Sequence, residues 1–340
     1  MTGVVLFPLS EYWWFYAAFT VFVLAMLALD LGVFHRGAHV VSFREALGWT
    51  TVWVSLAIVF NVLFYVWASG ALSRDPRLMA IPGFDPKAAA WQAALEFLTG
   101  YVVEYSLSVD NIFVFVLVLG YFAVPPRYQH RVLFYGILGA LIFRAVFITI
   151  GSVLLRFHWV LWLFGAFLIF TGIKLAFSGE QKLEPEKNPM LRLLRRFVPI
   201  TNEFHGQSFF VTHDGRRMGT PLLVAVCALE ATDIVFAIDS VPAIYALTRE
   251  PLIVFTSNIF AILGLRSLYF LLGNAVEKFH LLRFGLAVVL VFVGLKMVWL
   301  DEMSGGKFPI VWSLVIIAVS IGASIVFSLL FPKAEEAKPA

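Results

Sequence analysis

Long apolar runs broken by short polar segments dominate the chain. Runs of the length that crosses a bilayer, roughly 20 residues, lie near 11–34, 46–69, 91–122, 131–155, 158–177, 219–247, 251–273, 282–300 and 308–331. The pattern predicts an all-α, polytopic transmembrane helical bundle of about nine spans. The first run is too long for a signal h-region and lacks a basic flank, so it reads as a span. Composition agrees: of 340 residues, 61% are hydrophobic and 14% charged. A soluble chain carries about 25% charged residues, so the bilayer is the solvent this sequence expects.

Charge in the loops gives an orientation. Arg36, Arg44, Arg127, Arg131, Lys278, Arg283, Lys333 and Lys338 fall in one set of loops, with seven Lys and Arg between Lys182 and Arg217. The alternate loops hold Arg74, Arg77, Lys87, Arg156, Arg249 and Lys307. The richer set marks the cytoplasmic side, which puts the N-terminus outside and the C-terminus inside. The polar segment 178–218 is then a cytoplasmic linker. Its stretch 190–197 could form a short amphipathic helix, although a solvated connector is the plainer expectation.

The spans repeat. Glu104 and Asp110 in span three have the same spacing as Asp233 and Asp239 in span six; Arg144 and Arg266 follow, then Gly172-Ile173-Lys174 and Gly294-Leu295-Lys296. Three matched landmarks define an inverted repeat of three helices plus three helices, the second entering the membrane in the opposite sense. Secondary transporters are commonly built this way, with the site near the midplane between the halves. The expected organisation is 1–90 as peripheral spans, 91–177 as the first repeat, 178–218 as the linker, 219–300 as the second repeat and 301–340 as the last span and tail.

Candidate chemistry lies inside the spans. A charged residue at the bilayer centre costs roughly 2.5–3.5 kcal/mol on the insertion scale, so intramembrane acids mark function. Glu104, Asp110, Glu230, Asp233 and Asp239 occupy spans three and six, and Asn111, Ser240 and Asn258 add neutral oxygens. Arg144 and Arg266 balance part of this charge and leave the site net negative. Oxygen ligands suit Mg²⁺, Ca²⁺ or Mn²⁺. At ~100° per residue, Asp233 and Asp239 point about 240° apart on one helix. Either the helix breaks, for which Pro242 is a candidate, or the acids form two layers. Lys174 and Lys296 read as snorkelling anchors. Cys227 is the only cysteine, so no intrachain disulfide exists, and it reads as a packed small residue. The basic residues lie between apolar runs and form no single patch, so no nucleic-acid partner is expected. No nucleophile–base constellation or phosphate-cradling glycine loop points to an enzyme.

The motifs resemble a known family. Glu104-Tyr-Ser-Leu-Ser-Val-Asp110-Asn111-Ile112-Phe113-Val114-Phe115, Glu230-Ala-Thr-Asp233-Ile-Val-Phe-Ala-Ile-Asp239-Ser240-Val241-Pro242 and Thr256-Ser257-Asn258-Ile259-Phe260-Ala261-Ile262-Leu263-Gly264-Leu265-Arg266 are similar to signature segments of the TerC family, nearest its Alx branch. The resemblance runs from about Ala28 to Val326. It implies a bacterial inner-membrane protein and manganese export, with Mn²⁺ as cargo and no cofactor. It also implies links to tellurite or alkaline-pH responses. The residues themselves reach a hard divalent cation, with protons as a candidate coupling ion. A metal-binding membrane scaffold or stress-response protein without transport is the alternative, and vesicle flux separates the two. Oligomeric state is left open.

Overall fold

A computed structural model of the chain describes residues 5–29, 41–154, 157–177, 189–213, 216–273, 279–304 and 308–331. The side chains of Asp110, His158, Arg195 and Asp239 lie outside that description. Almost all of it is helix: α1 (Leu9–Leu29), α2 (Phe43–Arg74), the short α3 (Pro76–Met79), α4 (Pro86–Tyr121), α5 (Pro126–Leu154), α6 (His158–Phe177), α7 (Pro189–Phe197), α8 (Pro221–Tyr245), α9 (Pro251–Leu263), α10 (Leu265–Leu272), α11 (Leu282–Leu295), α12 (Asp301–Met303) and α13 (Ile310–Leu330). A π-helical turn, Lys296–Leu300, joins α11 to α12. Proline opens several helices at their first position, as in α4, α8 and α9, where its missing N–H costs nothing.

Eight helices are long and apolar enough to cross a membrane. The pair α9 and α10, bent by 40°, is long and apolar enough to make a ninth if it acts as one broken span. The chain is thus a polytopic helical membrane protein, as the apolar runs predict. Exposed Val21, Val62, Phe170, Val235 and Val319 cover the outer faces of the spans, and hydrocarbon is the medium that accepts such a surface.

The break falls where the sequence reading did not place it. Pro242 does not interrupt α8, which runs on to Tyr245. The proline sits in the last turn, and Ala246 N–H still bonds the Pro242 carbonyl at 3.0 Å. The interruption comes instead at Gly264, between α9 and α10. There the Ser267 hydroxyl donates to the Gly264 carbonyl at 2.9 Å, and glycine–serine pairs of this kind bend helices. A Cβ at Gly264 would also meet the Tyr105 ring at 3.3 Å.

The packing is symmetric in pattern. α6 lies along α11, α5 packs on α8 as α4 does on α9, and α4 meets α8 as α5 meets α9. Exchanging α4, α5 and α6 for α8, α9 and α11 leaves these pairings unchanged. The matched glycines make the α6–α11 contact. A Cβ at Gly172 would lie 2.8 Å from the Ala287 carbonyl oxygen, and one at Gly294 would lie 2.7 Å from the Gly165 carbonyl oxygen. Small residues of this kind let membrane helices approach backbone to backbone.

The two ends of the bundle differ. Contacts gather the starts of α4, α6 and α13 with the ends of α8 and α11 around one polar cavity. The start of α1 joins that end through Leu6 N–H, which donates to the Glu250 carboxylate at 2.8 Å. The exposed tryptophans Trp13, Trp14, Trp91, Trp159, Trp162, Trp299 and Trp312 all lie there, forming an interfacial aromatic belt. Also at this end, the carboxylate of Asp75 caps α3 and meets Arg77 at 2.8 Å. Burial raises its pKa, but the hydrogen bonds and charge of Arg77 outweigh that and hold it below the ordinary carboxylate value.

The opposite end carries the linker. Its helix at Pro189–Phe197 forms, with Leu191 buried and Leu193 and Phe197 exposed. The sequence pattern gave no sign of the following hairpin, β1 (Phe210–His213) against β2 (Arg216–Gly219), antiparallel with Phe210 opposite Gly219. Residues 178–188 and 332–340, predicted as linker and tail, lie outside the described residues.

Gly294→Leu should separate α6 from α11, at about 1–3 kcal/mol for overpacking, and lower the thermal midpoint of the purified protein. Gly322→Ala, where a Cβ meets nothing within 4 Å, should leave the midpoint unchanged. Equal midpoints for both variants would contradict the glycine contact.

Candidate functional site

Four central helices contribute buried polar groups. On α8 they are Glu230, Asp233 and Ser240, at helical spacing with the small Ala237 between, while Val235 and Ile238 on the other side are exposed. On α4 they are Glu104, Ser108 and Asn111. α9 is buried on every side, and Thr256, Ser257 and Asn258 lie in its middle. α5 supplies Arg144, only 1% exposed.

Arg144 is the hub. Its Nη1 donates to Glu104 Oε1, to Ser240 Oγ at 3.0 Å and to Asn258 Oδ1 at 3.3 Å. Its Nη2 lies 3.7 Å from Asp233 Oδ1. Asn258 Nδ2 donates to Glu104 Oε2 at 3.3 Å. One guanidinium therefore ties α4, α8 and α9 to α5. A planar fork with five donors suits this task better than an ammonium. Ser240 and Asn258, predicted as oxygen ligands, are engaged by Arg144 and Glu104 in this conformation.

Glu230 stands apart from that network. It is 8% exposed, and its Oε2 is buried without a hydrogen-bond partner among the described residues. Asp233, 2% exposed, has neither carboxylate oxygen hydrogen-bonded among them. The structure thus brings Glu104, Asp233, Ser240, Asn258 and Arg144 together, with Glu230 one turn from Asp233. Asn111 is buried two turns beyond Glu104 on the same face of α4, and Arg266 is buried on α10 beside the break. The backbones of Asp110 and Asp239 sit in unbroken α4 and α8; their side chains lie outside the described residues. Among the described residues, no three Asp, Glu, His or Cys side chains group as a metal-ligand set. Cys227 is half-buried against the apolar core, as a packed residue would be.

A second polar cluster escaped the sequence reading. Lys296, taken as a snorkelling anchor, is instead buried, and its Nζ donates to the Ala246 carbonyl at 2.6 Å and lies 3.5 Å from Asp301. Lys174, its counterpart, is exposed as predicted. Beside Lys296, the Glu96 carboxylate accepts from Thr248 Oγ1 at 2.5 Å and Gln92 Nε2 at 2.9 Å. These groups line the polar cavity of about 50 Å³ at the tryptophan end. The signal was present in the sequence: Lys296 lies five residues before Asp301, an acid to pair, and Glu96 lies about two turns before Glu104 on α4.

Fold and site define an integral membrane protein with an ionisable core between two similar three-helix segments. Residues 89–336 match the profile described as "Integral membrane protein TerC family", and the chain belongs to that family. An uncharacterized membrane protein of Myxococcus xanthus is 52% identical over 316 residues, covering 93% of this chain and 92% of that one. Alx of Escherichia coli strain K12, whose name describes a candidate membrane-bound redox modulator, is 44% identical over 288 residues, covering 84% and 86%. An uncharacterized membrane protein of Rickettsia bellii is 36% identical over 279 residues, covering 82% and 85%. No solved structure matches the chain.

Arg144→Met should leave Glu104 and Asp233 without a counter-charge and destabilise the protein by about 3–5 kcal/mol. Adding Glu104→Gln should restore part of that loss in a thermal unfolding assay. A double variant no more stable than Arg144→Met would contradict the pairing.

Proposed function

We propose that the protein moves a hard divalent cation, Mn²⁺ first among them, across the bacterial inner membrane by alternating access. The carrying observation is the Glu230 carboxylate, buried at membrane depth with an oxygen that no hydrogen bond among the described residues satisfies. A buried carboxylate without a partner is costly, and a cation is the ligand that offsets the cost. Asp233, one turn on, offers two further oxygens. Asp110 and Asp239 complete the proposed acid set, with Asn111 beside them.

Glu104–Arg144–Asp233 is then the resting arrangement, in which the guanidinium stands in for the absent cargo. Cation arrival would compete with Arg144 for Asp233, and Arg266 would serve the second half in the same way. Segments 91–177 and 219–300 are proposed as the two inverted halves, an assignment that the exchange-symmetric helix pairing supports. Protons are the proposed coupling ion, because a protonated carboxylate cannot hold a cation. The basic loops favour a cytoplasmic C-terminus and an outward-facing tryptophan end. No enzymatic step is assigned. A redox role of the kind the Alx name describes would run through the cation rather than a thiol pair, since Cys227 is the single cysteine.

Purified protein in proteoliposomes should carry Mn²⁺, and Asp233→Asn and Asp239→Asn should reduce flux to that of protein-free vesicles while folding normally. Saturable Mn²⁺ binding by wild type without flux would support the scaffold alternative instead.

A further inference from the structure

Beyond the acids themselves, one neighbour decides where a carboxylate sits. α5 and α8 pack closely, and the Glu230 side chain reaches across to lie directly over Gly139 of α5. A Cβ on Gly139 would overlap Oε1, Cδ and Oε2 of Glu230 together. Gly136, one turn earlier on the same helix, differs. A Cβ there would only touch the Leu229 side chain at 3.6 Å, an ordinary contact. A methyl group at Gly136 therefore displaces nothing, whereas at Gly139 it would take the notch that the end of the Glu230 side chain fills.

The repeat points the same way. In the register that aligns Glu104 with Asp233 and Arg144 with Arg266, Glu230 falls on Tyr101 and Gly139 falls on Ala261. The acid and the glycine are thus both particular to one half of the molecule, each lacking its counterpart in the other half. Neither is required by the shared three-helix scaffold. A glycine inside a helix costs about 0.5–1 kcal/mol relative to alanine, so a position that forgoes alanine for no packing reason needs another one.

On the cation-site reading above, we infer that Gly139 is a positioning residue for the transported ion: its bare Cα holds the Glu230 carboxylate on the α5 side of α8, clear of the Arg144 network and open to a divalent cation. The atoms that Gly139→Ala would displace are the end of a flexible side chain. The methyl group is therefore accommodated by rotation of Glu230, and the helices need not part. This sets Gly139 apart from Gly172 and Gly294, where the overlap is with backbone of the facing helix. Gly139→Ala should consequently spare stability and damage the site.

The test is a double-mutant cycle on Mn²⁺ affinity, read as free Mn²⁺ by electron paramagnetic resonance with purified protein, alongside thermal midpoints. Gly139→Ala should weaken binding by about 10- to 100-fold, the range for residues that orient metal ligands. Glu230→Ala should weaken it similarly. The Gly139→Ala/Glu230→Ala double variant should be no weaker than Glu230→Ala, since removing the carboxylate removes what the glycine positions. Gly136→Ala should match wild type. Wild-type affinity in Gly139→Ala, with binding lost in Glu230→Ala, would overturn the role of Gly139 and leave the cation site standing. Undiminished binding in Glu230→Ala would instead overturn the cation-site reading at this acid. If Gly139→Ala fails to fold, recovery of folding in the double variant upholds the overlap, and failure of both overturns it.

Discussion

The Arg144 guanidinium holds the centre of the molecule. An arginine with 1% of its surface exposed, at membrane depth, needs its charge countered. Glu104 and Asp233 supply the counter-charge, and Glu104, Ser240 and Asn258 accept hydrogen bonds from Nη1; these residues come from three other helices. The Nε donor is left without a hydrogen-bond partner among the described residues. The position of α4, α8 and α9 around α5 is thus fixed by one side chain, and apolar packing fills in around it. In lipid, where apolar contacts between helices gain little over contacts with acyl chains, such polar ties and the glycine contact of α6 with α11 specify the bundle.

Much of this was readable from residue order. Apolar runs gave the spans because hydrocarbon thickness sets helix length. Equal acid, arginine and Gly-Xaa-Lys spacings exposed the repeat, whose matched elements pack on one another. Acids in the spans could be picked out because a bilayer makes charge rare. The partners of each charge were less legible. Sequence allowed Arg144 to balance several acids, but its choice of Ser240 and Asn258 depends on how α8 and α9 cross α5.

The misreadings have physical causes. Pro242 suggested a break, yet a proline in a last turn removes one bond and leaves the helix almost complete. The bend came at Gly264, whose effect depends on Ser267 and on the close approach of Tyr105. Lys296 resembled an anchor because it lies near the end of an apolar run. The π-helical turn and Asp301 instead bring it inward to the Ala246 carbonyl. The hairpin Phe210–Gly219 has too few residues to show a clear alternation.

Arg144 also frames the proposed chemistry. It satisfies Glu104 and reaches Asp233, and Glu230 lies beyond its hydrogen bonds. On the proposed reading, the ion pair exchanges its guanidinium for a cargo ion, and the neighbouring Glu230 carboxylate is a further ligand for it. The most direct measurement is calorimetric titration of Mn²⁺ into the purified protein, in buffers of different ionisation enthalpy from neutral to alkaline pH. The account predicts saturable binding that tightens as pH rises and releases protons as the cation displaces them from the acid cluster. Absence of saturable binding, or binding that is indifferent to pH and releases no protons, would contradict it.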